Sequence, residues 1–327
     1  MLTPVRGGEI SWHYKQGGFA VFFYTDAKSK KNHIPLNKIS TPAKFISFFS
    51  IFAVAYPTME PSLAHIISQC FVNIPFAEFN KYESMVSKHR INPEIGLAGD
   101  ALYTFSKQNF LDRAKFLKNE GLRCTLHAPF HDMMPGALDK YVLQACRDKL
   151  RRCFDLIEIF KPDSVVCHLG YLDCVHSYDL EQWLDNSFET WRELVILAES
   201  QNTPVMFENT YEPGPHIHKM LLEALDSPSA RFCLDVGHLL AFAQADWHIW
   251  LTTLGQWLGQ LNLHDNRGFR DEHLPVGNGY FDFTELFSYL KIKKIKPIIT
   301  LEPRSESDLW DSLNALDRMG LFDHKSG

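Results

Sequence analysis

The sequence predicts a (β/α)8 barrel, and three observations carry that prediction. Eight short apolar, β-rich runs alternate with longer segments of helical periodicity. No break in composition divides the alternation, which favours a closed parallel barrel over an open sheet. At 327 residues the chain can hold one α/β barrel of about 250 residues with a remainder.

In order, the strand-like runs are Cys70–Pro75, Pro93–Leu97, Arg123–His127, Ser164–Leu169, Pro204–Glu208, Arg231–Val236, Gly259–His264 and Pro297–Glu302. Ala77–Arg90 fits the first helix. Helical periodicity then covers Ser106–Glu120, Leu138–Phe160, Leu180–Ser200, His216–Leu225, Trp247–Leu258 and Phe283–Lys291. Pro162, Pro204 and Pro297 stand at or just before strand starts, and Gly121 and Gly259 occupy helix-ending positions. Trp183, Trp191, Trp247, Trp250 and Trp257 fall in predicted helices, at spacings that suit helix–barrel packing or a subunit interface.

Residues 1–69 read as an N-terminal extension, expected to be poorly ordered or dispensable, ahead of a barrel over 70–320 and a tail over 321–327. The extension holds a basic tract, Lys28 to Lys31, and an apolar run, Phe45 to Tyr56. That run is shorter than the roughly 20 apolar residues a membrane span requires. A displaced signal region, a packed helix and an unstructured segment are its three readings, and a start at Met59 would remove most of it.

Hydrophobic residues at 45% and charged residues at 22% are ordinary for a soluble globular protein. A formal charge of −6 supplies no overall basic field for nucleic acid. Seven scattered cysteines, odd in number and never in C-x-x-C spacing, suit free thiols in a reducing cytoplasm.

In a parallel barrel the C-terminal strand ends carry the chemistry, because their loops converge on one mouth. Those ends read Asn73, Glu94, His127, His168, Glu208, Asp235 with His238, Asn262 with His264, and Glu302 with Arg304. So many imidazoles and carboxylates in phase would each need a buried partner, and a shared metal supplies one. Mixed N and O donors suit Zn²⁺, Mn²⁺ or Co²⁺, while Mg²⁺ prefers an all-oxygen subset. The densest stretch is Gln260–Phe283, with two histidines, three aspartates, a glutamate and two arginines after an apolar run. Residues i and i+2 of a strand share a face, so Asn262 and His264 both point inward if either does, and either is a candidate ligand.

The ordered series His127-Ala-Pro-Phe, His168-Leu-Gly-Tyr, Phe207-Glu208-Asn209, Leu234-Asp235-Val236-Gly237-His238, Leu263-His264-Asp265-Asn266, Asp271-Glu272-His273 and Leu301-Glu302-Pro303 resembles the xylose isomerase-like TIM barrel superfamily. That group includes sugar and sugar-phosphate isomerases and epimerases and the endonuclease IV-type (AP endonuclease family 2) nucleases. The resemblance covers about Cys70 to Met319. It implies a divalent metal held by Glu208, Asp235 and Glu302, with a histidine of the seventh strand as fourth ligand. Many relatives place that histidine where Asn262 stands, which makes His264 the replacement candidate. Relatives also commonly carry a glutamate where Asn278 stands. In the nuclease branch further metals sit on positions matched by His127, His168, His238, Asp271 and His273. The isomerase branch keeps several of these as substrate-binding groups.

The reading favoured on the sequence is a metal-dependent sugar or sugar-phosphate isomerase or epimerase, with Glu208 and Glu302 as paired acid and base acting through an enediolate. His238 and Arg267 would orient hydroxyls or a phosphate, and Arg304 would pair with a ligand carboxylate or with substrate. An endonuclease IV-type zinc phosphodiesterase acting on abasic DNA is the alternative. It sits poorly with the loops Phe130–Gly136 and Tyr171–Asp179, which contribute no Lys or Arg. A barrel that binds a small molecule without turnover is the third. The expected partner is a carbohydrate, with nucleic acid disfavoured, no membrane span, and a homo-oligomer open.

Overall fold

Eight parallel strands close into a barrel in sequence order. They are β1 Phe71–Pro75, β2 Asn92–Gly96, β3 Thr125–His127, β4 Val165–His168, β5 Val205–Glu208, β6 Ala230–Asp235, β7 Leu258–Leu263 and β8 Ile298–Leu301. Every expected run contains its strand to within a residue or two. The computed structural model describes residues 63–322; the rest of the expected extension, including Phe45–Tyr56 and Met59, and residues 323–327 of the tail lie outside the described residues. Among the described residues no helix is long and apolar enough to cross a membrane.

The helices start where side chains can satisfy their free N–H groups. Ser106, Asp139, Asp246, Asp282 and Ser305 each accept a hydrogen bond from the first turn of the helix they precede. Gly121 ends the helix Lys107–Glu120 in the left-handed conformation. Gly259 does not end a helix. It is the second residue of β7, where a β-carbon would stand 2.7 Å from Met206 Sδ. The segment expected as one helix over Leu138–Phe160 is two, Lys140–Phe154 and Ile157–Phe160.

Outward-facing strand residues and inward-facing helix residues form one core, with Trp183, Trp191 and Trp250 fully buried in it. Burying a side chain of such size contributes on the order of 2–3 kcal/mol. Ala64–Ile67 forms a helical turn before β1 and packs on the helix Glu306–Arg318. All seven cysteines are free, and all but Cys174 are buried.

Strand register sorts the inward-facing polar residues into levels. Glu94 pairs with Asn73 and Thr125, whereas Gly96 pairs with His127. Glu94 is therefore mid-strand, one inward level below the mouth, rather than at a strand end. Asn262 pairs with Asp235 and Thr300, which puts Glu302 and His264 one level above them.

Candidate active site

Glu208, the last residue of β5, is fully buried, and three imidazoles surround it. His127 Nε2 and His168 Nε2 both lie 3.2 Å from its Oε2, and His238 Nδ1 lies 3.0 Å from its Oε1. Burial opposes ionisation of Glu208, but the neighbouring His168, His127 and His238 outweigh it and hold the carboxyl well below its usual range. Burial likewise opposes protonation of His127, yet the hydrogen bond and charge of Glu208 lift it to about 10. Glu302 moves the other way: burial, then the carboxylates of Asp235 and Glu208, push it up.

A second cluster adjoins the first. His264 Nε2 is 3.1 Å from Asp235 Oδ1 and 4.0 Å from Glu302 Oε2. The His264 ring stacks on His273 at 3.9 Å between centroids and 8° between planes. Asp271 Oδ2 is 2.9 Å from His273 Nε2 and 3.6 Å from His238 Nε2. Burial works against the charge of Asp271, and the neighbouring His238 imidazole together with the hydrogen bond from His273 more than offsets it, holding the carboxyl low. His273 rises to about 9 because the Asp271 hydrogen bond and the Glu302 charge exceed the opposing effect of burial.

The loop after β7 brings Asp271 and His273 into place, and Asp265 organises it. This buried carboxylate accepts hydrogen bonds from the backbone N–H groups of Asn266, Gly277, Gly279 and Phe281. Gly279 must lack a side chain, since a β-carbon would fall 2.3 Å from Asp265 Oδ1. His273 itself takes a left-handed φ of 47°, a conformation held by surrounding structure rather than by preference.

Beneath both clusters lies a polar floor whose bonding order fixes Asn262. Ser164 Oγ donates to Gln260 Oε1 at 2.8 Å, so the Gln260 amide N–H groups face Glu94 Oε2 at 2.8 Å and Asn262 Oδ1 at 3.1 Å. With its oxygen engaged below, Asn262 turns Nδ2 upward, donating to Glu302 Oε1 at 3.1 Å and Glu208 Oε2 at 3.3 Å. The orientation follows from this network. Asn262 thus presents donors, not a ligand oxygen, to the site. His264 enters beside Asp235 because residue 237 is glycine, where a β-carbon would lie 1.9 Å from its ring.

Several ligand-type atoms remain without a hydrogen bond despite burial: His168 Nε2, Glu208 Oε1, His264 Nδ1 and Asp271 Oδ1. Each stands within ion-pair distance of a neighbour, at 3.0–3.6 Å, without making a hydrogen bond. Buried atoms that converge without bonding one another fit a shared cation. Three-residue donor groups are met by His127, His168 and Glu208; by Glu94, His127 and Glu302; by Glu208, Asp235 and His238; and by Asp235, His264 and Glu302. His238, His264, Asp271 and His273 form a fifth group.

Of the remaining candidates, Arg304 lines the mouth and donates to the Asp271 carbonyl at 2.8 Å. Arg267 is more than half exposed, pairs with Glu272 at 2.9 Å and is outside the cavity lining. Gln260, Thr300, Asp265 and Gly237 were not singled out individually from sequence, although Gln260, Asn262 and His264 alternate along one strand face and so mark an inward polar stripe.

An uncharacterized protein of Methanocaldococcus jannaschii, MJ1311, is 28% identical over 202 residues, covering 58% of this chain and 68% of the relative. Among solved structures, a D-tagatose 3-epimerase-like protein matches with a TM-score of 0.66 at 23% identity, over 76% of this chain and 96% of its own. The TTHB071 protein from Thermus thermophilus, soaked with ZnCl2, matches with a TM-score of 0.65 at 21% identity, over 77% and 97%. The family model for the xylose isomerase-like TIM barrel matches residues 93–319, and the chain belongs to that family.

Proposed function

We propose that this chain is a divalent-metal-dependent epimerase or isomerase of sugars or sugar phosphates, with the barrel over residues 70–320 as its working unit and a reducing cytoplasm as its setting. One observation carries the reading. Glu208 and Glu302 enter from β5 and the end of β8, both buried, and one Asn262 amide ties them together beside a cavity of about 470 Å³. Paired carboxylates on a shared donor can remove a proton from one face of a substrate carbon and return one to the other. The fold likeness to a D-tagatose 3-epimerase-like protein supports the substrate class.

Glu208, Asp235, His264 and Glu302 would hold the cation. When bound, it supplies Lewis-acid polarisation of a carbonyl and its neighbouring hydroxyl. The residues of the chain do the rest. Asn262 fixes the spacing of the two glutamates, one takes the α-proton, and the other delivers one. His127, His168 and His238 keep Glu208 anionic. Arg304 is placed to meet a hydroxyl or phosphate, while Phe130, stacked on His168, holds that ring against Glu208 in the cavity wall.

Incubation of ketohexoses with Mn²⁺-loaded protein in D2O tests this. Deuterium should enter at the carbon beside the carbonyl together with epimer formation, and both should stop in Glu302→Gln. No exchange from any ketose would overturn the reading.

A second reading is favoured by the donor groups themselves. Glu208 is shared by two of them, and a further group of four uses His238, His264, Asp271 and His273, which is more than a single cation requires. Several metals would suit hydrolysis of a phosphodiester. About three zincs per chain would select it.

A further inference from the structure

Four imidazoles of the site have a partner behind Nδ1, and one of those partners differs in kind. His127, His238 and His273 turn Nδ1 to the backbone carbonyls of Ala128, Asn209 and Glu302, at 3.1, 3.1 and 3.2 Å. A carbonyl only accepts, so Nδ1 of these three rings carries a proton. His168 instead turns Nδ1 to the hydroxyl of Thr210 at 3.1 Å, and a hydroxyl donates as readily as it accepts.

Which of the two it does is decided at the far side of the ring. His168 Nε2 lies 3.2 Å from Glu208 Oε2, a carboxylate oxygen that only accepts. A bare Nε2 would set lone pair against lone pair, so the proton belongs on Nε2 and the Thr210 hydroxyl donates to Nδ1. The approach to Glu208 falls short of a formed hydrogen bond. With a cation in place of that proton, the ring would need the opposite tautomer and Thr210 would accept.

Thr210 is held where this bond requires it. Asn209, just before it, exchanges two hydrogen bonds with the backbone of Asp235, both at 2.9 Å. The Thr210 N–H donates to the buried carboxylate of Glu212 at 2.7 Å. Thr210 is itself buried, and among the described residues His168 is the only hydrogen-bond partner of its hydroxyl.

We propose that Thr210 is a positioning residue, whose hydroxyl fixes His168 in the Nε2–H tautomer and makes that ring a donor to Glu208 rather than a ligand of the cation. Oε2 of Glu208 is then faced by donors from His168, His127 and Asn262. Oε1 lies 3.0 Å from His238 Nδ1, whose proton goes to the Asn209 carbonyl, and it accepts no hydrogen bond. It is the oxygen left for the cation. The cation rests on the reading above; the tautomer stands on the hydrogen-bond pattern alone.

Long-range proton–nitrogen correlation NMR of the full chain carrying isotope-labelled histidine tests it, with His168 assigned by the loss of its signals in His168→Gln. In EDTA, and again with one equivalent of Zn²⁺, His168 should show the Nε2–H tautomer. In Thr210→Val its Nδ1 resonance should move downfield for want of a donor. Zn²⁺ affinity of that variant, read by competition with a fluorescent chelator, should fall by about tenfold or more, and Thr210→Ser should restore both readouts. The Nδ1–H tautomer in the unsubstituted protein, or a Thr210→Val variant unchanged in both readouts, would overturn the proposal. No turnover is read, so a chain that exchanges no deuterium can still show the tautomer, and the opposite tautomer leaves the paired glutamates standing.

Discussion

The two sides of the barrel mouth share one ring of strands and opposite chemistry. From β3 to the end of β8, the strand ends and the loop after β7 supply His127, His168, Glu208, Asp235, His238, His264, Asp271, His273 and Glu302. Around β1 and β2 the same cavity is lined by Val72, Ile74, Met85, Leu97 and Leu309. The difference teaches where each function has to be built. Charge and hydrogen bonding must be ordered to fractions of an ångström, so the polar side rests on Asn262, Gln260 and Asp265, each fixed by several partners. The apolar side needs only shape and dryness.

The sharpest way to break this comparison is to neutralise its centre. Glu208→Gln removes the carboxylate that two donor groups share, and turnover should fall by about 10³-fold or more. Met85→Gln, across the cavity, should leave turnover of a free sugar nearly unchanged. Comparable losses in steady-state kinetics of the two variants would erase the distinction.

Acid should loosen the helix layer behind the polar side through His218 of the helix His216–Leu225, which packs against Phe232 and Trp250. His218 lies fully buried with neither ring nitrogen hydrogen-bonded, and burial lowers it to about 4. The unfolded chain takes up that proton near pH 6.5, so the stability is complete above that value and is lost as pH falls toward 4. The loss is about 3 kcal/mol. Chemical denaturation between pH 7 and 4 should show it, and His218→Phe should flatten the dependence. An equally steep profile in the variant would assign acid sensitivity elsewhere.

Asn262→Asp sharpens the comparison further. A third carboxylate between Glu208 and Glu302 should cost about 2–3 kcal/mol in EDTA, with much of the loss recovered on adding Mn²⁺. Thermal melts with and without metal measure it, and an unchanged melt in EDTA would refute the clamp. The smallest effect belongs to Gly237→Ala. The added methyl drives the His264 ring aside, and metal affinity should fall by about 10–100-fold. Competition with a fluorescent chelator gives that value, and unaltered affinity would remove His264 from the ligand set.

Much of this was legible in the sequence, for identifiable reasons. The strands announce themselves because a barrel strand buried on both sides is a short apolar run between turn residues. The strand-end histidines and carboxylates stand out because ligand-type residues recur at one phase of every unit. Glu94 was misplaced as a strand end because level in the barrel is set by register with Asn73 and Thr125, which no local pattern encodes. The role of Asn262 depends on Ser164, nearly a hundred positions away, passing orientation through Gln260. Gly237 mattered only once His264 was known to pass over it.

Elemental metal analysis of the purified full chain, beside His264→Ala, tests the central claim most directly. The account predicts about one divalent ion per chain, Mn, Co, Mg or Zn, that is lost in the variant. Protein that takes up no metal after loading with each of these ions would contradict it.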